Sequence, residues 1–346
     1  MNDLQKFHQL VSEANSILIT GHRDADNDAL AGALSIYFLI QEKYPDKKAR
    51  IMSSPSLREN LKHFANFEKI EAVGDITDHL EGIDLIIMLD GNYAERFTLR
   101  PDALRASSAK KICFDHHASP ADKFDLAVID SNSTSTAEVI YFSLVEERES
   151  IPKELCEILY MGLNSDTNRF TYVRPSQSRV FSMAERLLRE GNIDAEMLMT
   201  EYFSFSKNVF DIFREFLKNA RAYEIAGWPP FLTWHVTRDF VQSGGYEDLE
   251  VHEASDITTQ YLKFVRDIPW GFSLYIAGND VKISLRSRKD GVNVRKIVEG
   301  LKIGSGHDFA SGGRFSAKEG EVLDTPEILE KMLDWLKNNK PRREKG

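Results

Sequence analysis

The sequence predicts an α/β fold of two domains: an N-terminal parallel-sheet domain with helices on both faces, and a smaller C-terminal α/β domain. Three observations predict it. In the first half, continuous apolar runs alternate with stretches of helical periodicity, the pattern of a parallel sheet buried on both faces. Near residue 223 the pattern changes to longer strands with fewer helices between them. And 346 residues exceed one ordinary core, at roughly 100–200 residues per domain.

The elements follow in order. Ser16–Thr20 reads as the first strand and Ala29–Gln41 as a helix. Ala49–Met52 and Ile83–Leu89 read as further strands, with Lys111–Phe114 and Ala127–Ile129 as short ones. Ser135–Glu147 and Pro152–Leu163 have helical spacing, which continues through Gln177–Glu190, Ala195–Tyr202 and Phe210–Ala222. The last of these includes the connection between domains. Strands are then expected over 231–236, 272–278 and 281–287, with helices near Val294–Glu299 and Pro326–Asn338. The expected division is a first domain over 1–190, a helical linker over 191–222, a second domain over 223–340 and a basic tail over 341–346.

Composition narrows the partners. Forty-four Lys and Arg against 54 Asp and Glu leave a net charge of −10. A protein that grips duplex nucleic acid carries a basic face, so long duplexes are not expected. An acidic chain still binds a phosphate compound where metals or local Arg and His supply positive charge. No apolar run approaches the roughly 20 residues that span a bilayer, and the polar N-terminus does not read as a signal peptide. Cys113 and Cys156 form no disulfide framework, which points to a reducing cytoplasm.

Four polar clusters each follow an apolar strand or end a helix. They are Gly21 to Ala29 (GHRDADNDA), Asp90, Asp115-His116-His117, and Asn164 to Thr167. A parallel sheet delivers its strand ends to one edge, so the clusters can converge. Each has a plainer alternative. Asp24, Asp26 and Asp28 suit a helix N-cap with turn carboxylates, and Asp90 and Asp166 suit ordinary turns. Paired histidines after a buried strand have no packing advantage. If Asp26, Asp28, Asp90 and Asp166 meet, their repulsion and desolvation demand positive charge, which two divalent ions would cancel. Carboxylate and imidazole donors suit Mn²⁺ or Mg²⁺.

At these residues the sequence resembles the DHH phosphoesterase family. Asp115-His116-His117 is its namesake triplet. His22 to Ala29 is similar to its His-x-x-Pro-Asp-x-Asp-Ala motif, with Ala25 in place of Pro. Asp90 stands at the second motif. Asn164 to Phe170 resembles Thr-Asp-Thr-Gly-x-Phe, with Ser165 and Asn168 substituted, and Ser135-Thr136-Ala137-Glu138 matches a helix-start signature of one branch. Val281 to Arg288 and Gly304 to Gly313 resemble the Arg-bearing strand and the Gly-Gly-Gly-His-x-x-Ala-Ala-Gly loop of the DHH-associated domain, with Ser305 and Ser311 departing from that pattern.

The resemblance implies metal ligands and roles. One ion would be held by His22, Asp26 and Asp90, and the other by Asp28, Asp90, His116 and Asp166. Mn²⁺ is the first choice, with Mg²⁺ or Co²⁺ as substitutes, and an activated hydroxide is the nucleophile. Asp115 would orient a histidine, and His117 would face the scissile phosphate. Arg286, His307, Gly304, Gly306, Gly312 and Gly313 would bind substrate phosphate, with the active site in the cleft between the domains. The branch it resembles is the NrnA type, which implies action on short RNA or 3′-phosphoadenosine 5′-phosphate, in the cytoplasm, with homodimers common in the family. Related activities are di-adenylate phosphodiesterase, inorganic pyrophosphatase or polyphosphatase, and non-catalytic nucleotide sensing.

Overall fold

A computed structural model describes residues 2–23, 25–53, 62, 64–118 and 120–339. Asp24 and the basic tail over 341–346 lie outside the described residues. The chain divides into two units, Met1–Ser204 and Phe205–Gly346. The division cuts the segment expected to be a helical linker.

In the first unit the elements run α1 (Asp3–Glu13), β1 (Ser16–Gly21), α2 (Asn27–Lys43), β2 (Lys48–Ser53), β3 (Ile70–Ala72), β4 (Leu85–Leu89), α3 (Pro101–Ala106), β5 (Lys110–Asp115) and β6 (Leu126–Ile129). They continue with α4 (Thr136–Ile140), α5 (Lys153–Asp166), α6 (Arg179–Gly191) and α7 (Ala195–Phe203). The six strands form one parallel sheet in the order β3-β2-β1-β4-β5-β6. Alternate side chains enter different cores. Ile17, Ile19, Leu85, Ile87 and Leu89 pack with α2 and α5, and Leu18, Ile86 and Met88 pack with Phe97 and Leu104 on the other face. Burial on both faces explains why these strands read as unbroken apolar runs.

The second unit comprises α8 (Lys207–Lys218), β7 (Arg221–Tyr223), β8 (Phe231–His235), α9 (Arg238–Gly244), α10 (Asp248–Tyr261), β9 (Trp270–Ala277), β10 (Asp280–Ser287), α11 (Val294–Leu301), β11 (Gly304–His307), β12 (Ala310–Phe315) and α12 (Thr325–Asn338). Its sheet runs β11-β12-β10-β9-β8-β7, with only β8 and β9 parallel.

Several expectations are corrected. The helix expected over 135–147 is α-helical only to Ile140 and then widens into a π-helix over Tyr141–Val145. The helix expected to run to Ala222 ends at Lys218, where Asn219 turns its side chain to the His235 carbonyl and β7 joins β8. The Gly-rich stretch expected as a loop is a β-hairpin. Glycine makes the strand approach possible: a Cβ on Gly304 would lie 2.1 Å from the Gly312 carbonyl. Helix α10 escaped notice because its buried face carries Ser255, Thr258 and Thr259 beside Val251 and Ala254, which blurs the apolar stripe.

Candidate active site

The strand order reverses between β1 and β4, and open α/β sheets bind ligands beyond the carboxyl ends of their strands at that reversal. His22 follows β1, Asp90 follows β4, and Asp115, His116 and His117 close β5. Asp26 and Asp28 come from the start of α2, and Asp166 is the last residue of α5.

These side chains form overlapping groups whose donor atoms lie within 4.8 Å of one another. One group is His22, Asp26 and Asp90; a second is Asp28, Asp90, His116 and Asp166; a third joins His117 to Asp90 and His116. Asp90 divides its oxygens between the first two. Oδ2 lies 3.4 Å from His22 Nε2, while Oδ1 lies 3.3 Å from His116 Nε2 and accepts a hydrogen bond from Thr136 Oγ1 at 3.0 Å. Its backbone is left-handed, with φ at 59°. That conformation costs a non-glycine residue roughly 1–3 kcal/mol and is found where surrounding structure enforces it.

Asp26 uses its two oxygens differently. Oδ1 caps α2 by accepting from the Asp28 and Ala29 N–H groups, and Oδ2 stands 3.8 Å from His22 Nε2. Asp28 is fully buried, and its carboxylate accepts the N–H groups of Thr136 and Ala137 at 2.6 and 3.1 Å. Asp115 Oδ1 holds His117 Nδ1 at 2.7 Å.

The electrostatics show how much positive charge this cluster demands. Burial opposes protonation of His22, yet the Asp26 and Asp90 carboxylates outweigh it and push the imidazole up to about 9. His116 is raised in the same way, against its burial, by Asp166 and Asp90. Burial, reinforced by neighbouring carboxylates, raises Asp28 well above the ordinary range and Asp166 to about 6. Divalent cations fit these donors on a separate ground. His116 Nε2 is buried, 3.0 Å from Asp166 Oδ2, and makes no well-aligned hydrogen bond. A buried ring nitrogen that faces carboxylates without an aligned hydrogen bond suits a shared cation, which would take the place of its proton.

Asp166 is followed by three left-handed residues, Asn168, Arg169 and Phe170, with φ of 44°, 57° and 63°. Asn168 therefore occupies a position that favours glycine, and asparagine is among the side chains that tolerate it best. The turn is closed by Arg169 N to Asn164 O, Tyr172 N to Thr167 O, and Thr171 Oγ1 to Asn168 O.

The expected phosphate-binding residues belong to the second unit. Arg286 pairs across β10 with Ala310, which pairs with His307, so the three share one cross-strand row. Arg286 Nη1 donates to Ser284 Oγ and the Leu285 carbonyl, and no carboxylate pairs with it among the described residues. The positive φ of 150° falls at Gly306 rather than at Ser305. The side chains of Ser305 and His307 lie outside what is described.

Residues 16–163 match the DHH family, N-terminal domain. The chain carries a DHH-family N-terminal domain. It is a phosphoesterase, a hydrolase of phosphate ester bonds. A probable bifunctional oligoribonuclease and PAP phosphatase NrnA from Streptococcus mutans is 23% identical over 325 residues, covering 93% of this chain and 96% of that one. The uncharacterised protein MG371 of Mycoplasma genitalium is 24% identical over 188 residues, covering 54% of this chain and 56% of its own length. An exopolyphosphatase-related protein from Bacteroides fragilis has a similar fold, with TM-score 0.78, 21% identity and coverage of 97% and 96%. Exonuclease RecJ bound to manganese has TM-score 0.54 and 15% identity, covering 100% of this chain and 97% of that one.

The first unit also uses residues that the sequence motifs contain but to which they assign no place in the site. Thr136 donates to Asp90 and, with Ala137, holds Asp28. The available signal was the Ser135-to-Glu138 capping pattern. Asn27 donates to the Tyr202 hydroxyl 175 residues away, a pairing that no local pattern reveals.

Proposed function

We propose that this DHH protein hydrolyses short oligoribonucleotides, 3′-phosphoadenosine 5′-phosphate, or both, with two divalent cations at the first unit's strand ends. The observation that carries the reading is the division of the Asp90 oxygens between two ligand groups, each with histidine and aspartate. The NrnA relative from Streptococcus mutans, aligned over nearly its whole length, supports the choice of substrates. Mn²⁺ is the ion we favour, in line with the donor set and with the manganese bound by the RecJ neighbour. Buried free thiols at Cys113 and Cys156 suit a reducing cytoplasm. No helix of the described residues is long and apolar enough to cross a membrane.

Bound there, divalent cations would lower the pKa of a water and offset charge on the attacking and leaving oxygens. The chain's own residues do the rest. His22, Asp26 and Asp90 hold one ion; Asp28, Asp90, His116 and Asp166 hold the other. The Thr136 and Ala137 N–H groups keep Asp28 oriented. The Asp115 carboxylate, accepting from His117 Nδ1, fixes the ring so that its Nε2 edge is presented to the substrate's phosphate oxygens. Arg286 offers a planar fork to a second phosphate or a terminal one.

A substrate panel tests the reading: short 5′-phosphorylated RNAs, 3′-phosphoadenosine 5′-phosphate, di-adenylate and pyrophosphate, with Mn²⁺ and after chelation. Turnover of the first two that stops on chelation is expected. Full turnover after chelation, or cleavage of pyrophosphate alone, would overturn it.

A further inference from the structure

Glu138 is a carboxylate with no exposed surface, and it belongs to none of the ion-ligand groups among the described residues. Both its oxygens are occupied. Oε2 accepts the N–H and the hydroxyl of Thr134, each at 2.6 Å, and Oε1 accepts Arg179 Nε at 2.7 Å. Arg179 is the first residue of α6, and its Nη2 donates to Asp130 Oδ2 at 2.6 Å and to Ser133 Oγ at 2.7 Å. Its guanidinium lies over the Phe142 ring, 4.4 Å from the centroid. One arginine from a later helix thus ties the connection after β6 at Asp130, Ser133 and Glu138.

That connection ends at the atoms that hold two ligand carboxylates. Two residues past Thr134, Thr136 gives its N–H to Asp28 and its hydroxyl to Asp90, and the Ala137 N–H goes to the other Asp28 oxygen. Asp28 and Asp90 both belong to the group with His116 and Asp166; of the His22 group they supply only Asp90. His22 and Asp26 are held instead from β1 and the cap of α2.

We propose that Arg179 and Glu138 are positioning residues for the ion held by Asp28, Asp90, His116 and Asp166. Arg179 clamps Glu138, Glu138 clamps Thr134, and the turn so fixed aims the Thr136 and Ala137 donors at Asp28 and Asp90. Removal of a charged partner leaves Glu138 buried and unpaired, so the turn must shift. Outer-shell partners of metal ligands commonly govern affinity by about 10–100-fold.

The inference rests on the two-ion reading above, and Mn²⁺ titration by calorimetry or electron spin resonance separates the two. Wild-type protein, Arg179→Ala, Arg179→Lys, Glu138→Gln and the milder Thr134→Val are titrated after each is shown to be folded by circular dichroism. The expected result is two ions per wild-type chain. Arg179→Ala and Glu138→Gln weaken one of the two by about tenfold or more and leave the other within about threefold. Thr134→Val shows a smaller loss at the same ion, and Arg179→Lys a partial recovery relative to Arg179→Ala. Two wild-type ions with unchanged affinities in folded variants would overturn the positioning role alone, as would equal weakening of both ions. A wild type that binds no Mn²⁺ would remove the two-ion reading and the positioning role with it.

Discussion

The two units place polar groups on sheets in opposite ways. In the first, the central strand β4 of a parallel sheet is wholly apolar, and carboxylates and imidazoles gather past the carboxyl ends of β1, β4 and β5, where His22 and His116 both approach Asp90. In the second, a mixed sheet spreads polar residues along its strands, with Ser284, Arg286 and the glycine hairpin side by side in register. The first arrangement makes a compact, charge-dense centre whose side-chain groups share Asp90. The second spaces its polar groups singly along paired strands.

Single substitutions can break that contrast. The largest effect is expected for Asp90→Ala, which takes a ligand from both ion groups. Turnover should fall by about three orders of magnitude or more, about 4 kcal/mol of transition-state stabilisation. Steady-state kinetics in excess Mn²⁺ check it, and full activity would detach Asp90 from the chemistry. Arg286→Ala should raise KM about 10–100-fold, the range of one or two charge-assisted hydrogen bonds, with Mn²⁺ content unchanged. A variant with unaltered kinetics on a two-nucleotide RNA would remove Arg286 from the substrate site.

Glycines sharpen the comparison within the second unit. Gly304→Ala drives a Cβ to 2.1 Å from the Gly312 carbonyl and should cost about 1–3 kcal/mol in denaturant unfolding. Gly312→Ala meets only the Ile283 carbonyl at 3.4 Å, an ordinary contact, and should alter stability by less than about 0.5 kcal/mol. Equal losses in the two variants would contradict the hairpin packing.

The smallest effect lies away from both sites. Burial raises the Asp75 carboxyl, but the hydroxyls of Thr77 and Thr98 and the N–H groups of Thr77 and Leu99 outweigh it, so the folded pKa is depressed. Its contribution is therefore complete above the unfolded value of about 3.9 and is lost as pH falls through the lower folded value. Asp75→Asn should cost about 1 kcal/mol near neutral pH and progressively less in acid. A difference that stays constant down to pH 2 would refute the assignment.

Much of the first site was legible because each ligand stands at a boundary that apolar patterning reveals. His22, Asp90 and the Asp115–His117 triplet follow buried strands, and Asp166 ends a helix. The pairing of Arg179 with Glu138, 41 residues apart, was not legible, since nothing local selects one arginine among several. The glycine stretch misled for a related reason. Glycine permits a loop and a close strand pair equally, and only the neighbouring β10 decides between them.

By itself, then, the order of residues determined the parallel sheet, the sites of its strand ends and the carboxylate and imidazole chemistry gathered there, because burial period and residue type are local properties. Tertiary structure alone decided which oxygen of Asp26 caps a helix and which faces His22, how Asp90 divides its two oxygens, and which distant arginine holds Glu138. Those choices depend on the directions in which separate elements meet, and such directions exist only once the sheet has formed.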